Sequence, residues 1–179
     1  MTYIEPNIGG LARLDDVLKK LRGARVGVWG LGVAGKAMAR YLKAQGATVV
    51  GLDDNTRWED QDFSREMGSS LELVLGPLKV ELLKDLDLLV LSPGVDSRNP
   101  VVQELHTRGL SIVGELELLG ALPSRVCALT GTNGKSTTTA LIGVIAQHLG
   151  ASVFVGGNLG TPIAEWGTSG ENVDVAILE

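Results

Sequence analysis

Two glycine-rich stretches hold the residues best suited to grip phosphate. The later one runs from Thr130 to Thr139 and reads TGTNGKSTTT, after an apolar run and at the head of an apolar helical pattern. Gly131 and Gly134 let backbone N–H groups turn inward around an anion, and a helix start adds unpaired donors and partial positive charge. In such a loop Lys135 can reach the β- and γ-phosphates of ATP, and the Ser136 hydroxyl can ligate Mg²⁺. The strict pattern G-x-x-x-x-G-K-[ST] needs glycine at 129, where this chain has Leu129. A turn with an incidental Lys-Ser helix entry is the bland alternative; strand, G-x-x-G-K-S and helix in this order favour the phosphate loop.

The earlier stretch, Val26 to Lys36, reads VGVWGLGVAGK and places Gly30, Gly32 and Gly35 in a full G-x-G-x-x-G. A strand precedes it, a helix follows, and Asp53-Asp54 closes the second strand. By pattern alone this is a dinucleotide site, with the acid on a ribose hydroxyl and the helix start on a pyrophosphate. The physical requirement is only a diphosphate flanked by sugar and base, so nicotinamide is not compelled. Glycines serving nothing but close packing would account for Gly35 more readily than for all three.

The elements around these loops alternate. Short strands rich in Val and Leu are expected at 25–29, 48–52, 71–75, 86–91, 110–113, 126–130, 152–155 and 173–178. Helical patterns fall at 11–21, 33–44, 78–83, 100–107, 115–122 and 135–149. Such alternation, with strands lacking polar alternation, predicts an α/β chain of parallel sheets with right-handed crossovers. The boundary is expected near Leu122, giving a domain over 1–122 and the start of another over 123–179. Trp58 and Trp166 fall in expected loops and carry no assigned role.

Composition narrows the partners. The 179 residues include 24 glycines and are 44% hydrophobic but only 4% aromatic, which suits many tight strand-to-helix turns. Sixteen basic against 21 acidic residues give a net charge of -5 without a Lys/Arg cluster, so no nucleic-acid footprint is expected. No uncharged apolar stretch is long enough for a membrane span, and the start MTYIEPNIGG is no signal peptide. Cys127 is alone, so no internal disulfide forms; it reads as a small core residue, and the expected compartment is the cytoplasm. His106 and His148 lie on helical patterns with no metal-ligand spacing. The last residues form a strand pattern with no loop after it, which suggests that a longer protein continues beyond.

The segment Gly131, Thr132, Asn133, Gly134, Lys135, Ser136, Thr137 resembles the ATP loop of the Mur ligase family. Those enzymes join an amino acid to a UDP-linked muramyl precursor of peptidoglycan. Ser92-Pro93-Gly94 resembles the family's S-P-G turn beside the substrate. The run IVGELE from Ile112 to Glu117 resembles the lead into its ATP domain, and GGNLG from Gly156 to Gly160 its G-G-N-x-G motif. AILE, ending at Glu179, resembles the start of its v-l-E-l-S-S segment. Within the family, Asn133, Ser136 and the pairing of S-P-G with IVGELE resemble the members that add D-glutamate. The resemblance spans about residues 25–179, and the first 23 look like an individual extension.

The resemblance implies a Rossmann-like parallel-sheet domain followed by the beginning of a P-loop-type ATP domain. It implies ATP-dependent addition of D-glutamate to UDP-N-acetylmuramoyl-L-alanine through an acyl phosphate, with Mg²⁺ as cofactor and a monomer as the working state. Backbone groups of Gly30, Leu31, Gly32, Val33, Ala34 and Gly35 would receive the UDP diphosphate, with Asp53 and Asp54 by the uracil. Ala34 stands where those members often carry Thr, and Asp54 also stands where they may carry Thr. Lys135 would stabilise the transferring phosphoryl, Ser136 and Glu179 would hold Mg²⁺, and Asn133 and Thr137 would touch phosphate. Ser92, Pro93, Gly94 and Asn158 would lie on the muramyl side. A chain of this length would bind ligands without turning over. Another amino-acid-adding Mur ligase, an NAD-dependent oxidoreductase and a non-catalytic nucleotide-binding fragment stay open as other readings.

Overall fold

Strands buried on both faces need helices on both faces, and the sequence supplies them in alternation. The computed structural model describes residues 19, 21–119, 125–158, 160–169 and 171–179, and it divides into two compact units, Met1–Leu118 and Leu119–Glu179. The helix expected at 11–21 lies almost wholly outside the described residues, and the boundary expected near Leu122 lies outside them too.

The first unit is a five-stranded parallel sheet in the order β3-β2-β1-β4-β5. Its strands are β1 (Arg25–Trp29), β2 (Thr48–Asp53), β3 (Leu71–Leu75), β4 (Leu88–Leu91) and β5 (Ser111–Gly114). Helices α1 (Val33–Ala44), α2 (Gln61–Met67), α3 (Pro100–Thr107) and α4 (Glu115–Leu119) punctuate them. This is the Rossmann-like arrangement, in which ligands gather at the carboxyl ends of the strands where the order reverses beside β1. Along β1, Val28 faces α1, where it lies against Gly35. Gly27 and Trp29 face the other layer, a core of Val50, Leu52, Leu78, Val80, Leu83, Leu86, Leu89, Val102 and Leu105.

The differences from the sequence expectation are local. The helix expected at 78–83 is a single 3₁₀ turn, Val80–Leu82, because packing outweighs the weak propensity of so short a segment and draws Leu78, Val80 and Leu83 into the core. Leu86 is part of the turn before β4 rather than of the strand. The unexpected helix α2 is capped by Asp60, whose carboxylate accepts from the Phe63 N–H at 2.9 Å, and it buries Phe63 and Met67 one turn apart.

The second unit holds a three-stranded parallel sheet, β6 (Arg125–Ala128), β7 (Val153–Gly156) and β8 (Val175–Leu178), in the order β6-β8-β7. Helix α5 (Lys135–His148) follows the phosphate loop, and α6 (Ile163–Ser169) precedes β8. Trp166, expected in a loop, is a buried α6 residue. It stacks on Phe154 at 5.2 Å and its indole N–H donates to the Glu171 carbonyl. Cys127, expected in the core, is only half-buried because β6 lies at the sheet edge. Among the described residues no helix is long and apolar enough to cross a membrane.

Candidate functional site

In the first unit, β1 ends in Trp29 and the chain turns through Gly30, Leu31 and Gly32 into α1. Gly30 has a φ of +92°, and a Cβ there would lie 3.0 Å from that of Ser92. The turn after β4 therefore packs directly behind the glycine loop, with the Ser92 N–H bonded to the Trp29 carbonyl at 3.0 Å. Ser92 is buried, whereas Pro93 and Gly94 are exposed.

The three glycines have separate reasons to be glycine. A Cβ on Gly35 would overlap the Gly30 carbonyl oxygen, so this position is a packing requirement. Gly32 has a φ of -74°, and a Cβ there would meet no heavy atom within 4 Å. Nothing inside the protein requires a glycine at that position. Gly32 caps α1 without a side-chain hydrogen bond, and no acid stands in the first turn. The first-turn N–H groups of Val33, Ala34 and Gly35 are thus available to an anion.

The acids after β2 turn back onto this loop. Asp53 accepts from the Leu31 N–H at 2.9 Å through one carboxylate oxygen and from the Asn55 N–H at 2.9 Å through the other. The Leu31 amide is therefore already engaged, and its side chain is buried. Asp54 is exposed and accepts from the Trp29 indole N–H at 3.2 Å. Each carboxylate keeps spare acceptor capacity for a further donor. Asp60 pairs with Lys36 of α1 at 2.9 Å. The Lys36 ammonium and the Phe63 N–H hold the Asp60 carboxyl below the usual carboxylate range.

In the second unit, Gly134 caps α5 in the left-handed conformation (φ +76°), again with no side-chain cap and no acid in the first turn. Gly131, Thr132, Asn133, Ser136 and Thr137 are exposed and Lys135 is half-buried. The Thr138 hydroxyl is spent on the Gly134 carbonyl at 2.8 Å. The central strand β8 delivers Glu179 to the carboxyl edge of the sheet. Phosphate-loop residue Leu129 lies on one side, with its N–H on the Leu178 carbonyl at 2.8 Å. On the other side is the Gly156-Gly157-Asn158 turn. Glu179 donates its N–H to the Gly156 carbonyl and accepts from the Asn158 N–H, both at 3.1 Å. Gly157 approaches so closely that a Cβ there would lie 2.7 Å from the Glu179 carbonyl oxygen. Glu179 Oε2 is buried and has no hydrogen-bond partner among the described residues. A buried carboxylate oxygen left unpaired is costly and fits a site for a cation. Ser136, in the first turn of α5, is exposed, and its hydroxyl and the Glu179 carboxylate are both oxygen donors, the kind that Mg²⁺ prefers.

Comparison with known proteins decides the family. Residues 24–114 match the N-terminal domain of MurD-like Mur ligases. The chain belongs to the MurD-like Mur ligases. It is 39% identical over 162 residues to the UDP-N-acetylmuramoylalanine–D-glutamate ligase of Syntrophus aciditrophicus, covering 89% of this chain and 36% of that one. To the ligase of the same name from Anaeromyxobacter dehalogenans it is 41% identical over 165 residues, covering 89% and 35%. This Mur ligase chain thus spans about a third of the length of the curated relatives it matches. A pseudomurein peptide ligase type C from Methanothermus fervidus shares the fold, with a TM-score of 0.51 at 24% identity over 88% of this chain and 32% of that one.

Within each unit the structure brings together most of the residues singled out in the sequence. Gly30, Gly32, Ser92, Asp53 and Asp54 lie at one sheet edge; at the other Glu179 bonds Asn158 and Leu129 bonds Leu178, the 130–134 loop leading from there into α5. Sequence reasoning missed Trp58, whose indole N–H donates to the Leu31 carbonyl at 3.1 Å. Its spacing of 27 residues from Leu31 carries no local signal, because the contact is made by the fold.

Proposed function

We propose that this chain forms the UDP-substrate-binding domain, and the beginning of the ATP-binding domain, of an ATP-dependent ligase that adds D-glutamate to UDP-N-acetylmuramoyl-L-alanine. The observation that carries the reading is Glu179. A buried carboxylate oxygen with no partner among the described residues, at the sheet edge where the chain leaves β6 for the glycine-rich loop, makes chemical sense if a phosphate-bound cation sits there. An NAD-dependent oxidoreductase would leave that arrangement without use, and the relatives at 34–41% identity are named as D-glutamate ligases.

In this reading Gly32 and the first turn of α1 hold the UDP diphosphate through backbone N–H groups, the Gly30 and Leu31 amides expected there being spent on the Leu52 carbonyl and Asp53, with no hydroxyl from Ala34. Asp53 and Asp54 flank the uracil, and Ser92, Pro93, Gly94 and Asn158 lie along the muramyl part. Lys135 neutralises charge on the transferring phosphoryl, with Gly131, Thr132, Asn133, Gly134, Ser136 and Thr137 lining the phosphates. Mg²⁺, held by Ser136 and Glu179, would supply further charge neutralisation there. The substrate carboxylate takes the γ-phosphoryl of ATP and ADP departs. The D-glutamate amine then attacks the acyl carbon, and phosphate leaves as the amide forms. Alignment and electrostatics are the protein's contribution to this sequence, because the phosphoryl and acyl transfers need no covalent enzyme intermediate. Both ligands are cytoplasmic metabolites in this reading, and the chain works there as a monomer. Calorimetric titration of the purified chain tests it: UDP-N-acetylmuramoyl-L-alanine and Mg-ATP should each bind and NADH should not. NADH binding without UDP-sugar binding would overturn it.

A further inference from the structure

We infer that Trp58 is a positioning residue for the glycine loop, setting the direction of the Gly32 N–H. The inference rests on the proposal that this loop receives a diphosphate. Leu31 is anchored at both of its peptide groups. Its N–H donates to Asp53 at 2.9 Å, and its carbonyl accepts from the Trp58 indole N–H at 3.1 Å. Asp53 ends β2 and Trp58 lies in the short segment that follows, and that segment is itself braced. The Asn55 N–H donates to Asp53, the Trp58 N–H donates to the Asn55 carbonyl at 3.0 Å, and the Trp58 ring stands edge-on to Phe63 at 6.1 Å.

The second anchor is the informative one. The Leu31 carbonyl and the Gly32 N–H belong to one planar trans peptide, so they point in opposite directions. Fixing the carbonyl on Trp58 therefore aims the Gly32 N–H away from the Trp58 side. The Gly32 carbonyl accepts from the Lys36 N–H at 2.9 Å in the next peptide, and Gly32 has no side chain to pack, so within the Leu31–Gly32 peptide itself Trp58 supplies the hydrogen bond that fixes its plane. A donor held in one orientation before the ligand arrives loses less freedom on binding than one that must be ordered.

Trp58→Phe keeps an aromatic ring against Phe63 and removes only the indole donor. The test is calorimetric titration of the 179-residue chain and this variant with UDP-N-acetylmuramoyl-L-alanine, alongside thermal melts and ¹⁵N–¹H spectra. The expected result is a Kd raised about five- to tenfold in the variant, the cost of ordering a donor no longer held in place, with the fold kept and Tm lowered only slightly. In the wild-type chain the Trp58 indole proton should exchange slowly, and its resonance should move when the UDP-sugar is added. An unchanged Kd in Trp58→Phe, or an indole proton that exchanges freely and ignores the ligand, overturns the inference while the diphosphate proposal stands. No UDP-sugar binding by the wild-type chain overturns both.

Discussion

Gly35 of α1 lies so close to the carbonyl of Gly30 that no side chain fits between them. At Gly35 helix α1 meets the end of β1 backbone to backbone, and the contact separates the structural glycine from the one that faces open space. Gly35→Ala should destabilise the first unit by about 2 kcal/mol or more, since the clash is with main chain that cannot swing aside. Gly32→Ala should cost about 1 kcal/mol or less in stability, yet weaken UDP-sugar binding at least about tenfold by placing a methyl group where the ligand approaches. Urea melts and titration of the two variants check the pair. Equal stability losses would contradict the separation.

The hydroxyls of the later loop divide in a similar way. Thr138 spends its hydroxyl on the Gly134 carbonyl, whereas Ser136 and Thr137 are exposed at the helix start. Ser136→Ala and Glu179→Gln should each remove most of the Mg²⁺-dependence of ATP binding, while Thr138→Val leaves it intact. ATP titrations with Mg²⁺ and with EDTA read this directly.

In the second unit the Trp166–Phe154 stack joins α6 to β7. Trp166→Ala deletes a buried ring and leaves the Glu171 carbonyl without its donor, for an expected loss of about 3–5 kcal/mol. Trp166 is the second unit's own tryptophan, so amide ¹⁵N–¹H spectra through a urea series are the readout: the second unit's transition should move to lower denaturant, with the first unit's unchanged.

Acid should loosen the first unit. Asp60 is held below the usual carboxylate range by the Lys36 ammonium and the Phe63 N–H, Glu66 by Arg40, and Glu72 by Arg25. A depressed folded-state pKa contributes stability that is complete above the unfolded value near about 4 and is lost as pH falls through the lower folded value. Tm should therefore drop between about pH 5 and about pH 3, more shallowly in Asp60→Asn, which can still cap α2. All three pairs are partly solvated, so high salt should reduce the effect. A drop of the same size in Asp60→Asn would contradict the assignment to Asp60.

The parallel strands and both glycine loops were legible in the sequence because their signals are local: unbroken Val and Leu runs, and glycines at fixed spacing before a helix. Helix α2 was not, since seven residues with Phe63 and Met67 buried are stabilised by the packing rather than by propensity. Trp166 looked like a loop residue for the same reason, α6 being two turns long. Asp53 was legible as the acid after β2, but not as a brace for Leu31, because that hydrogen bond spans 22 residues. Trp58 was silent in sequence and became readable only when the fold set its indole on the Leu31 carbonyl.

The central claim is that the first glycine loop holds the diphosphate of a UDP-sugar. It is tested most directly by ¹⁵N–¹H spectra of the chain during titration with UDP-N-acetylmuramoyl-L-alanine and, separately, with NADH. With the UDP-sugar, large saturable shifts are expected at the amides of Gly32, Val33, Ala34 and Gly35 and at the residues from Asp53 to Trp58, and none with NADH. Shifts at those amides with NADH alone, or UDP-sugar shifts confined to residues elsewhere, would contradict it.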